Sequence, residues 1–180
     1  MSRSPVKFVK ICGVSVWEAD ENGAAVYDYP QASDVTVSMP NIEFGTTDVN
    51  ILGTLSVPDF TRLENFQISA SVPVDNPEAK KLFKLGLQNW VISYAVANLD
   101  SATGLETKTG YRIYARGYVS SIPNAEISTG GEGMADVSMN LVSLKKWALG
   151  ASVPEFNIDR LSGKVEISGV NYAAEVNALY

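Results

Sequence analysis

A chain of 180 residues with 46% hydrophobic and 19% charged content has enough apolar mass for a core and little charge to cover a surface. Its net charge of −6 argues against tight binding to nucleic-acid phosphates. One cysteine, Cys12, excludes a disulfide-built scaffold, and the absence of histidine removes Ser-His and Cys-His nucleophilic pairs and His-bearing zinc sites.

The first residues lack the continuous apolar segment of a signal peptide, and no run approaches a membrane helix, so synthesis and folding in the cytosol are expected, with no membrane partner. Phe8–Ile11 and Val14–Trp17 read as an opening strand that carries Cys12 as a buried residue. The strand leads to a hairpin tip at Asp20-Glu21-Asn22-Gly23, where acidic and Gly residues serve the turn. Val35–Ser38 is a second strand, stopped by Pro40. Phe66, Ile68, Ala70 and Val72 alternate with Gln67, Ser69 and Ser71, the period-two pattern of a strand with one buried and one wetted face.

The spacing predicts an α-helix over about 77–90. Asp75 or Asn76 can cap it, Pro77 fits its first position, and Ala79, Leu82, Phe83, Gly86, Leu87 and Trp90 share one stripe. Leu85 falls off that stripe. Strands at Val91–Asn98 and Gly110–Ser121 then flank a turn at Asp100–Gly104. Arg112, Tyr114, Arg116 and Tyr118 share one parity of the second. Such interleaving can stack on single-stranded nucleic acid, but in an acidic chain cross-strand pairing with carboxylates is the plainer reading. Met134–Val142 alternates Ala135, Val137, Met139 and Leu141 with Asp136, Ser138 and Asn140. Lys164–Ile167, a turn over Ser168–Asn171 and Tyr172–Val176 form a closing hairpin. The whole predicts a mainly β sandwich or barrel, one domain over 1–180, with one short packed helix.

Chemistry-bearing candidates are few. Glu18, Asp20, Glu21, Asp136, Glu155 and Asp159 are scattered carboxylates. Gly130, Gly131 and Gly133 lack the Gly-Lys-Ser/Thr of a phosphate loop and read as a turn. No catalytic residue, metal site or cofactor is expected.

The segment 40–60 is the anomaly. Pro40, Gly45, Gly53 and Pro58 interrupt it, yet it carries Ile42, Phe44, Val49, Ile51, Leu52, Leu55, Val57 and Phe60. A structureless loop of this length is uncommon in a compact domain, so it either hides a strand pair or docks on another molecule.

The order of these elements resembles the major tail tube family of contractile-tailed bacteriophages, including the tubes of R-type tailocins. The similarity rests on Tyr114-Ala115-Arg116-Gly117-Tyr118, the Gly-rich turn 130–133, and Leu141–Lys146. Glu155-Phe156-Asn157-Ile158-Asp159-Arg160 and Val165–Tyr172 continue it, the last departing from the family with Ser168 before Gly169 and Asn171 after Val170. The resemblance implies a structural, non-enzymatic virion protein that forms homohexameric rings, with strands of each protomer joining a closed ring around a lumen. Stacked rings make the inner tube of the tail. Implied partners are further copies, the sheath protein, baseplate and tail terminator proteins, and the tape measure protein, with DNA passing during ejection. On this reading the segment 40–60 (Ile42, Phe44, Val49, Ile51, Leu52, Leu55, Phe60) contacts the adjacent ring. Gln67, Ser69, Ser71, Asp136, Ser138 and Asn140 are candidates to line the lumen, and Arg112 and Arg116 are expected to be paired or turned outward. Tubes of type VI secretion or extracellular injection systems and a monomeric ligand-binding β-barrel are the competing readings.

Overall fold

The computed structural model describes residues 7–50, 53–73, 75–100, 103–123 and 133–173. Period-two patterning drives most of them into antiparallel strands. In chain order these are β1 (Lys7–Glu18), β2 (Ala32–Ser33), β3 (Thr36–Ser38), β4 (Glu43–Asn50), β5 (Thr54–Glu64) and β6 (Gln67–Pro73). They continue with β7 (Gly86–Asp100), β8 (Glu106–Val119), β9 (Met134–Ala148), β10 (Phe156–Asp159), β11 (Lys164–Ile167) and β12 (Val170–Asn171).

Ten strands share one sheet of order β12-β11-β10-β9-β8-β7-β1-β2, with β6 on β9 and β3 beside β6. β9 organises it. Its Met134–Asn140 half pairs with β6 and its Ser143–Lys146 half with β10, while β8 takes Met139–Ala148. Strands diverging from β9 enclose one core: Ile68, Ala70 and Val72 of β6, Trp90 and Ile92 of β7, Ile113 and Ala115 of β8, and Val137, Met139, Leu141 and Leu144 of β9. Each fully buried large side chain contributes roughly 1.5–3 kcal/mol. The result is mainly β and compatible with a sandwich, and among the described residues the sheet does not close on itself.

The helix expected over 77–90 is not there. A single 3-10 turn spans Ala79–Phe83, and β7 begins at Gly86. Asn76 does start the turn, accepting the Glu78 N–H at 2.9 Å, but Gly86 at φ +101 leaves helical space. A ladder that pairs Gly86–Leu99 with Glu106–Val119 then overrides local helix propensity. Ala79, Leu82 and Phe83 are buried as expected. Leu87 is not: in a strand it points opposite to Gln88 and remains 44% exposed. Trp90 is buried, but from β7, where its indole N–H donates to Gln88 Oε1 at 2.9 Å.

Two turns hold. Asp20 Oδ1 accepts the N–H groups of Asn22 and Ala24 at 2.8 and 2.9 Å, with Gly23 at φ +82. Gly104 closes on Asp100 O at 2.8 Å. The last hairpin is tighter than expected. Ser168 and Gly169 both take positive φ, the pairing a two-residue turn demands, and β12 begins at Val170. Cys12 lies in β1 but is only half-buried, because this end of the strand runs beyond the core. Gly130 and Gly131 lie outside the described residues.

Candidate functional site

Strict alternation puts Gln67, Ser69 and Ser71 on the side of β6 away from the core, and the same holds for Asp136, Ser138 and Asn140 of β9. The register sets them directly opposite one another: Gln67 to Asn140, Ser69 to Ser138, Ser71 to Asp136. β3 extends this face, with Ser38 opposite Ser69 and Thr36 opposite Ser71. All six candidates therefore form one polar surface, enlarged by two hydroxyl residues that sequence reading had not placed there. A one-residue slip would bury every one of them.

The segment 40–60 resolves into a strand pair. β4 and β5 form their own two-stranded sheet, with Val49 opposite Leu55 and Thr47 opposite Val57. Its base is fastened to the body. Ile42, Phe44 and Leu63 pack against the core, Phe44 and Phe60 meet edge to face at 5.1 Å, and Tyr172 stands 5.5 Å from Phe60. Arg160 donates to the Leu63 carbonyl at 2.7 Å. Further out, Val49, Leu55 and Val57 are exposed, Leu55 by 59%. The segment thus divides into an anchored base and a free arm. Ile51 and Leu52 lie outside the described residues.

A cleft of about 560 Å³ opens on the outer side of β8 and β9. Arg112, Tyr114 and Arg116 stand opposite Trp147, Lys145 and Ser143 respectively. Tyr114 and Trp147 meet edge to face at 5.6 Å. The Asp20–Gly23 turn forms one wall, with Gly23 packed on the Tyr114 ring, and Leu149–Ala151 forms another. Arg112 and Arg116 point away from the protomer core, on the parity of β8 that also carries Tyr118 opposite Asn140. Among the described residues neither arginine makes an ion pair, the buried Nε of Arg116 has no acceptor, and the Lys145 charge helps hold Glu166 below its ordinary value. The neighbouring cation Lys146 is different. Burial would lower its pKa, but its bond to Glu155 at 2.6 Å and a hydrogen bond with Tyr94 hold it above the ordinary lysine value.

Four of the six scattered carboxylates have structural employment. Glu18 pairs with Lys84 at 2.6 Å, Glu155 with Lys146, Asp20 braces its own turn, and Asp159 accepts the Leu161 N–H at 2.9 Å. Among the described residues there is no cluster of metal ligands, and no helix is long and apolar enough to cross a membrane. No protein-family model matches the chain, and no curated protein matches it. Sequence reading missed the cleft, because Tyr114, Lys145 and Trp147 meet only through the β8–β9 register.

Proposed function

We propose that this chain is the tube protein of a contractile phage tail or tailocin, forming rings that stack into a conduit. One observation carries the reading: the sheet ends on an open, apolar edge. β2 covers β1 only at Ser15 and Val16, so among the described residues Lys7–Cys12 has β7 on one side and no strand on the other. Val9 and Ile11 on that stretch are 65% and 61% exposed. Unpaired strand groups flanked by exposed β-branched side chains are a template for another chain. A contact between this edge and a different edge of a second copy is head-to-tail, and such contacts close into rings when the rotation permits.

The polar face centred on Ser69 and Ser138 then supplies the lumen wall, and the β4–β5 arm supplies the contact between rings. Hydroxyl, amide and carboxylate groups on that wall offer passing DNA no cation to neutralise its phosphates. In this role the protein needs no cofactor. Its partners are other copies, the sheath, baseplate, terminator and tape measure proteins, and its place is the virion tail. Negative-stain microscopy of the purified protein, with sedimentation across concentration, tests the reading. Rings or hollow tubes are expected, and a monomer at all concentrations overturns it.

A further inference from the structure

Past the core the sheet runs on as a tongue of three strands: residues 7–12 of β1, 95–100 of β7 and 106–109 of β8. β9 accompanies β8 only from the pairing of Tyr111 with Ala148 onward. Among the described residues the tongue is therefore uncovered on both sides, along β1 and along β8. The other ends of the sheet are shorter, two residues in β12 and three in β3. Val9, Lys10 and Ile11 are exposed on the first edge, Glu106, Thr107 and Lys108 on the second. β1 and β8 each run antiparallel to β7, so the two edges point the same way. Copies related by rotation about a ring axis keep their strand directions, so β1 of one copy can meet β8 of the next only as a parallel pair.

We propose that residues 7–12 of β1 pair in parallel with residues 106–109 of β8 in the next copy, a detail that rests on the ring reading of the β1 edge. The charges choose the register. A closed ring of tilted strands needs a stagger, and the stagger at each junction must be even to keep the two faces matched. Without stagger Lys10 would stand beside Lys108, because both lie opposite Ala97. A shift of two residues one way sets Lys10 beside Glu106 and Ile11 beside Thr107. The same shift the other way sets Lys10 beside Gly110, whose carbonyl already accepts the Leu149 N–H. Opposite charges side by side in a sheet stabilise it and like charges do not, so the first shift is favoured. Glu106 does contact Lys108 at 3.4 Å, but both side chains are half exposed or more, so this pair is weak and can be shared.

The test is oxidative cross-linking of full-length protein in a Cys12→Ser background carrying Ile11→Cys together with Thr107→Cys. Neighbouring strands lie about 4.8 Å apart, within reach of a disulfide. A ladder of linked chains is expected from the double variant and none from either single one. Adding Glu106→Lys should lower the yield on the order of fivefold, and adding Lys10→Glu as well should restore it. Rings in the microscope without a ladder overturn the inference and leave the ring reading standing. A charge swap that fails to restore the yield overturns the register. Linked dimers from Ile11→Cys alone also overturn it, in favour of a twofold contact between two β1 edges. A ladder from a protein that forms only open chains, with no rings or tubes, sinks the ring reading and leaves the edge pairing standing.

Discussion

Gly117 and Asn140 pack so closely that a Cβ on Gly117 would collide with the Asn140 carbonyl oxygen and stand 2.8 Å from Met139 Cγ. The contact sits where the β8–β9 register shifts, between Arg116 and Gly117. An irregularity of this kind bends a strand and re-aims its side chains. Here it separates the polar face ending at Asn140 from the cleft beginning at Ser143. Because the obstacle is backbone, Gly117→Ala should cost about 3 kcal/mol, the upper range for overpacking. Urea denaturation measures this. A loss below about 1 kcal/mol would mean that β9 yields easily and that the bulge is not fixed by this contact.

The β4–β5 arm should separate folding from assembly along its length. Phe44→Ala or Phe60→Ala opens the half-buried aromatic group with Tyr172 and should destabilise the protomer by about 2 kcal/mol, less than the roughly 3–5 of a fully buried Phe. Leu55→Ser with Val57→Ser touches only exposed side chains, so the fold should persist by circular dichroism while tubes stop at rings. If the serine pair unfolds the protomer, the outer arm belongs to the core.

Acidification should loosen the 3-10 turn and the loop beside it. The Lys81 hydrogen bond, aided by Tyr29, holds Glu78 below the ordinary value of 4.5. Lys81 also bonds the Tyr29 hydroxyl at 3.0 Å and sits 4.0 Å from the Tyr27 ring centroid, so the pair ties the loop to the turn. Glu166 is likewise lowered, by its bond to Lys164. A carboxylate with a depressed folded pKa stabilises above its unfolded pKa, and that contribution is lost as pH falls through the folded one. The melting temperature should therefore decline only below about pH 4.5, and Glu78→Gln should flatten part of that decline. An identical acid limb in the variant would show that the pair does not hold the loop.

Where pattern alone decides structure, the sequence was readable. Ile68, Ala70 and Val72 against Ser69 and Ser71 identify a half-buried strand, and their β9 counterparts do the same. The misreading at 77–90 has a physical cause. Leu82, Leu87 and Trp90 fit a helical period, but Gly86 breaks it, and the pairing of Trp90 with Ala115 is a long-range fact that no local window contains. The cleft was hidden for the same reason. Arg112 and Arg116 were visible as a parity, whereas Lys145 and Trp147 join them only through register.

The polar face yields the sharpest test of the tube reading. Asp136 lies opposite Ser71 near one end of that face and is exposed, so Asp136→Lys changes no buried contact and should shift stability by less than about 0.5 kcal/mol. In a ring of identical protomers the same change repeats around the circle and replaces a ring of carboxylates with ammonium groups. Cations facing a phosphate backbone release counterions and bind it, with an affinity that falls steeply as salt rises. Tubes of the variant should therefore retain DNA at low salt and release it as salt increases, while wild-type tubes retain none. A map of the tube placing Asp136 on the outer surface would refute the lumen assignment. So would variant tubes that carry the substitution inside and still fail to hold DNA, since the charge of that wall would then be irrelevant to passage.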